Sequence, residues 1–185
     1  MAKKLFDEIP FLEGERVVVK ALTAADAAGL EALRTSPRVN RYLPTFLFEK
    51  QAADAQAVID HLYGELFSGK ESLILGIYQK ETGEFCGLGE RYHYDEETHT
   101  VSIGGRILEK FWKKGLVNEA ARLVVAWLQE ETDIEILTAS TMVENDNSAA
   151  ALTRLGFVRT AENVPEDWGF ESPVQVHQWA IRIRE

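Results

Sequence analysis

The chain has a single cysteine, Cys86, in 185 residues. No intramolecular disulfide can form, and no paired-cysteine metal or redox motif is present. No apolar run approaches the ~18 residues that a membrane-spanning helix needs. Lys3 and Lys4 are followed by Leu5-Phe6-Asp7 rather than by an apolar stretch, so no secretory signal is expected. Basic residues are outnumbered: Lys+Arg is 20 and Asp+Glu is 30, a formal net charge of −10. Such a field repels nucleic acid, which requires a basic face. Low-complexity tracts, internal repeats and linkers are also missing. These absences point to one cytoplasmic domain over residues 1–185, monomeric or homodimeric, with no nucleic-acid or membrane partner. Residues 1–12 read as a loosely packed N-terminal arm. With 45% hydrophobic and 27% charged residues, the composition is that of a globular domain.

Arg16–Leu22 is β-branched and predicts a strand. Thr23, with Asp26 three residues on, opens a helix in the manner of a capping box. Apolar residues from Ala55 to Leu66 recur at helical spacing, predicting a second helix over about 51–67. Three strands follow in a meander: Leu73–Tyr78, Glu84–Tyr94 and His99–Leu108. The strongest helix spans about 116–131, its apolar face formed by Leu116, Ala120, Leu123, Val124, Trp127 and Leu128. Then come a strand (Ile134–Met142), a short helix (Ser148–Leu155) and two strands (Phe157–Ala161, Val174–Ile183). This order predicts an α/β fold, a mixed sheet of about seven strands flanked by about four helices. The 99–141 unit is its parallel crossover.

Two phosphate-binding patterns fail on context. Gly64 to Lys70 matches G-x-x-x-x-G-K, but Glu71 follows where Ser or Thr is required. The strand-before, helix-after arrangement is also inverted. Gly87-Leu88-Gly89 has Tyr92 at the third glycine of a dinucleotide fingerprint. His61, His93, His99 and His177 share no ligand spacing, so no metal is expected. There is no G-x-S-x-G elbow.

The informative stretch runs from Ile103 to Ala120: a strand ends, cations gather, and Gly115 opens the best helix. A helix start carries unpaired N–H groups and partial positive charge, and glycine lets a ligand approach the backbone. Arg106, Lys110, Lys113, Lys114 and Arg122 crowd this region of an acidic protein. It is either an anion site or a loop of solvated lysines.

Phe111-Trp112-Lys113-Lys114-Gly115-Leu116-Val117-Asn118-Glu119-Ala120 resembles the cofactor loop of the GNAT N-acetyltransferases. Asn145-Asp146-Asn147-Ser148, running on to Arg154-Leu155-Gly156-Phe157, resembles that family's N-x-x-S motif and its (K/R)-L-G-F ending. The pair resembles the RimJ/RimL-like branch, which acetylates ribosomal-protein N-termini, and its relatives with other amine substrates. The resemblance implies the GNAT fold and acetyl-CoA as cosubstrate. By the same resemblance, Lys113, Lys114, Gly115, Leu116, Val117 and Asn118 hold the pyrophosphate. Gly105, Arg106 and Ile107 pair with the pantetheine arm through their backbone. Asn145 steadies that arm, Arg154 lies near the phosphates, and Ser148 protonates the departing thiolate. The chain departs from the pattern at Val117, at Leu152 where many members carry an acidic Tyr, and at Ser102 where many carry a basic Glu.

The implied reaction is direct attack of a neutral amine on the thioester. Most free amine is protonated at pH 7, so a proton acceptor is needed. Candidates are Glu90, His177 or a water chain; the plainer reading of Glu90 is a solvated strand carboxylate, and of His177 a surface or core histidine. Ser148 is either the acid or a helix N-cap. The amine or peptide N-terminal acceptor is expected between segments 34–48 and 163–173. Tyr42, Phe46, Phe48, Trp168 and Phe170 would form its aromatic walls, and Glu162, Glu166, Asp167 and Glu171 would supply negative charge; the alternative is ordinary loop packing and solvated acids. The alternative function is a non-catalytic acyl-CoA-binding or sensing module.

Overall fold

The computed structural model describes residues 2–43 and 54–185. In chain order, strands Leu12–Glu13 (β1) and Val17–Lys20 (β2) precede helices Ala27–Thr35 (α1) and Ala55–Asp60 (α2). Strands Ser72–Gln79 (β3), Phe85–Asp95 (β4) and Thr100–Ile107 (β5) form the meander. Helix Leu116–Glu131 (α3), strand Ile136–Met142 (β6), helix Asp146–Arg154 (α4) and strands Val158–Glu166 (β7) and Val174–Arg182 (β8) complete the chain. The eight strands make one sheet in the order β1-β2-β3-β4-β5-β6-β8-β7. The expected sheet had about seven; the extra one is two-residue β1, too short to leave a periodic signal.

The central strands alternate between two cores. Leu73, Leu75 and Ile77 of β3 pack with Leu116, Ala120, Val124, Trp127 and Leu128 of α3, joined by Leu152, Phe157 and Trp179. Ile74, Tyr78 and Leu88 face the other way, toward Leu22, Leu33, Val39 and Leu62 beside α1 and α2. α2 continues as a wider π turn over His61–Phe67. There the Tyr63 hydroxyl accepts from Leu22 N (2.7 Å) and donates to Ile74 O (2.9 Å), bridging the gap left as β2 ends. Asp26 accepts from Thr23 N at 2.8 Å and from the Tyr78 hydroxyl at 2.6 Å, fixing the start of α1.

Three expectations are corrected. The N-terminal arm is tied down: Leu5 is fully buried, and Lys3 exchanges backbone hydrogen bonds with Glu131 and Asp133 at 2.9 Å. α4 begins at Asp146 because Asn145, not Ser148, is its N-cap, its Oδ1 accepting from Ser148 N at 3.2 Å. β7 runs on to Glu166, its pairing with β8 surviving two register shifts that hide its period from the sequence.

The pairing of β5 with β6 is the feature that shapes the site. The two run parallel through Thr100↔Ile136, Val101↔Leu137 and Ser102↔Thr138, and then separate. Beyond that point Ile103–Ile107 pair only with β4, and Ala139–Met142 only with β8. A wedge opens between two strand edges whose backbone groups have no strand across from them.

Arg91 of β4 lies opposite Leu73 and Ile103 and is 3% exposed. Among the described residues its Nε and Nη2 have no hydrogen-bond partner, and burial pushes its pKa down to about 10. The Glu90 charge offsets part of that burial, but a buried cation with unsatisfied donors still costs stability, and apolar replacements are often neutral or stabilising by about 1–4 kcal/mol. Arg91→Met is expected to raise the melting temperature by about 3 °C or more in a thermal denaturation scan. A lower melting temperature would mean that the guanidinium is well accommodated.

Candidate active site

The wedge presents different chemistry on its two sides. Toward α1 and α2, directly paired residues share a face, so Glu90 and Tyr92 of β4 stand with Ser102 and Gly104 of β5. Ser72 donates to Glu90 Oε1 at 2.8 Å. Burial raises the Glu90 pKa, outweighing the Ser72 hydrogen bond and the nearby Arg106, Arg91 and His93 charges. Tyr92 is pushed up to about 12 by burial and by the charges of Glu90 and Glu166, so its hydroxyl stays protonated. At the closed end of the wedge, Ser102 and Thr138 share a hydrogen bond of 2.8 Å. Glu166 receives Ser140 Oγ, Gln178 Nε2 and Trp168 Nε1, each at 2.8 Å. Burial alone would raise the Glu166 pKa, but these three donors together lower it. One carboxylate is thus biased toward holding its proton and the other toward staying ionised, an asymmetry that separates proton acceptor from charge anchor.

The other flank is the loop between β5 and α3. Lys113 (φ 59°) and Gly115 (φ 75°) both take the left-handed conformation, which suits glycine and strains lysine. Trp112 Nε1 donates to Ile107 O at 2.9 Å, folding the loop back onto the end of β5. In the first turn of α3, the Asn118 Oδ1 is buried with no partner among the described residues. Arg16, just before β2, reaches the same loop: Nη1 donates to Lys114 O and Nε to Glu119 Oε2, both at 2.9 Å. No local pattern marked Arg16, because the contact spans about a hundred positions of sequence.

Several expected residues are redistributed. The backbone of Gly105, Arg106 and Ile107 lies along the open edge, and Gly105 is exposed. The Arg106 guanidinium is not part of the loop's cation cluster. It is buried on the α1 side, where Nη1 donates to Asn40 Oδ1 at 2.7 Å. Strand alternation turns it there. Lys110 pairs with Glu84, and Lys114 lies 5.4 Å from the Phe111 ring. Exposed Arg154 ends α4. Ser148 is half-buried beside its cap Asn145, so the N-cap alternative does not apply. His177 lies opposite Thr141 of β6. Thr141 accepts from Trp179 Nε1 at 3.0 Å, which puts His177 on the α3 face, away from Glu90. Its Nδ1 is buried without a partner among the described residues. Tyr42 is half-buried after α1, its ring 5.0 Å from the Arg41 guanidinium. Trp168 stands beside Glu166, and Phe46 and Phe48 lie outside the described residues. Among the described residues no group of three or more His, Cys, Asp and Glu could hold a metal ion.

A splayed parallel pair beside a left-handed loop at a helix start is the frame within which family relationships bear. The Acetyltransferase (GNAT) domain family matches residues 16–158. The chain belongs to the GNAT acetyltransferase family. The uncharacterized N-acetyltransferase YoaA of Bacillus subtilis (strain 168) is 24% identical over 149 residues, 80% of this chain and 82% of its own. A GNAT-family acetyltransferase from Bacillus anthracis superposes with a TM-score of 0.79 at 19% identity, covering 94% of this chain and 99% of the other. RimL, a ribosomal alpha-N-protein acetyltransferase solved with coenzyme A, gives a TM-score of 0.77 at 14% identity, covering 94% and 98%. The protein is therefore an acyltransferase with acetyl-CoA as donor. Among the described residues no helix is long and apolar enough to cross a membrane.

The open edge and the loop fit such a donor: the edge offers backbone partners to an amide-bearing arm, and the helix start suits its phosphates. Gly115→Glu is expected to abolish acetyl-CoA binding while circular dichroism stays that of the parent. The carboxylate would occupy the anion position, and a Cβ would stand 3.1 Å from Arg16 Nη2. An unchanged KM for acetyl-CoA would exclude the loop as the phosphate site.

Proposed function

We propose that this acetyltransferase modifies a primary amine, a peptide N-terminus or a small cationic amine, by direct attack on the thioester within the wedge. The observation that carries the reading is the pair of unlike carboxylates, Glu90 and Glu166, on the face toward α1 and α2. An ammonium group entering there would be held by ionised Glu166, with the Trp168 ring beside it. Glu90, its pKa raised toward the working range, would take the proton that the amine loses. Acetyl-CoA supplies the activated acyl group and a thiolate leaving group. Residues of the loop 113–118 would hold its phosphates, and the 103–107 edge its arm. The Ser148 hydroxyl, without a hydrogen-bond partner among the described residues, is available to the departing sulfur. The half-buried Glu90, with its raised pKa, supports catalysis over the non-catalytic module, whose appeal was the missing base at Ser102. The substrates named for RimL support a peptide N-terminus as one acceptor class.

Thiol release from acetyl-CoA against a panel of N-terminal peptides, polyamines and aminoglycosides tests this reading. Turnover should follow a positively charged acceptor. Its rate should fall with acidity through a pKa above the ordinary glutamate value of ~4.3, because the base must be ionised and burial raises its pKa. Glu90→Gln should lower kcat by ~10²-fold or more and remove that acidic limb. Tight CoA binding with no turnover on any amine would favour the sensing module instead.

Ser148→Ala separates an acid from a packing role. An acid role predicts a kcat lower by ~10²-fold with the KM for acetyl-CoA nearly unchanged. A variant that keeps more than about half of the parent kcat would leave Ser148 with a structural role alone.

A further inference from the structure

Arg16 and Glu119 meet at the loop between β5 and α3 with more hydrogen bonds than an ordinary surface ion pair. Glu119 Oε1 accepts from Arg16 N at 2.7 Å and Val17 N at 3.3 Å, and its Oε2 accepts from Arg16 Nε at 2.9 Å. The same guanidinium donates through Nη1 to Lys114 O at 2.9 Å. Its Nη2 lies 3.1 Å from where a Cβ on Gly115 would stand. Lys114 sits between the two left-handed residues, Lys113 and Gly115. A non-glycine left-handed residue persists only where its surroundings over-determine it, and here the carbonyl between the two is pinned from another strand. Glu119 is also an acid in the first turn of α3, the turn assigned to an anionic ligand. Left uncovered, its carboxylate would repel that ligand; Arg16 covers it.

We infer that Arg16 and Glu119 are a positioning pair that sets the loop for the phosphate-bearing half of the donor before it arrives. Arg16 holds the amides of residues 113–118 in a converging arrangement and neutralises the one acid within that turn. The binding energy of the donor is then not spent on ordering the loop. The inference rests on the reading that this loop binds the pyrophosphate.

The test compares two donors, acetyl-CoA and S-acetyl-N-acetylcysteamine, a thioester without phosphates, on the full chain. Arg16→Met should raise the Kd and KM for acetyl-CoA about tenfold or more, with kcat at saturating donor within about twofold of the parent. Its KM for the short thioester should not change. Arg16→Met combined with Glu119→Gln should bind acetyl-CoA more tightly than Arg16→Met alone, because no bare carboxylate remains. Arg16→Lys keeps the charge without the fork and should fall between the parent and Arg16→Met. It also serves if Arg16→Met does not fold. Unchanged acetyl-CoA affinity in these variants, or equal losses for both donors, would overturn the pair's role. A parent protein that turns over the short thioester yet gains nothing from the phosphates would overturn the loop assignment itself.

Discussion

The end of pairing between β5 and β6 is the constraint on which the rest depends. The last rung is Ser102↔Thr138, reinforced by a side-chain hydrogen bond of 2.8 Å. Had the ladder continued, Ile103–Ile107 would be an ordinary interior strand segment and no ligand could reach it. Because it stops, two edges face each other across a gap, and each retains backbone groups that a ligand can satisfy. The crossover helix α3 begins after the loop 108–115, which Trp112 folds back onto the end of β5. The same event therefore opens the groove and brings a helix start to its mouth.

Around that gap an acidic protein with net charge −10 builds distinct local environments. Glu90 is desolvated and resists ionising; Glu166 is surrounded by three donors and stays charged. Both belong to the face toward α1 and α2. At the loop, the acid in the first turn of α3, Glu119, is covered by Arg16, which also donates to the Lys114 carbonyl. Net charge thus says little about either site, since what a ligand meets is the arrangement within a few ångströms.

Short-range signals transferred well from sequence to structure. The helix at 116–131 was legible to the residue, because five apolar positions at helical spacing all face one core. The loop at 113–118 was legible because glycine at a helix start after a cluster of cations is a local pattern. Elements governed by partners elsewhere were harder to read. β7 was cut short because its residues are mostly exposed and its ladder is irregular. Glu90 was ambiguous because neither its desolvation nor Ser72 can be read from its own neighbours in sequence.

The sequence alone determined the order of all the elements but the two-residue β1, the hydrophobic faces and the two motifs that mark the family, because helical period, strand alternation and turn chemistry are properties of adjacent residues. Only the tertiary structure decided which charged groups work together. Arg106, counted with the loop cations, turned to Asn40 on the α1 side of the sheet. Arg16, which carried no signal, reached Lys114 and Glu119. Glu90 and His177, rivals for one role, fell on opposite faces. Side-chain electrostatics act through space over a few ångströms, and that proximity is set by how strands pair and where a ladder ends.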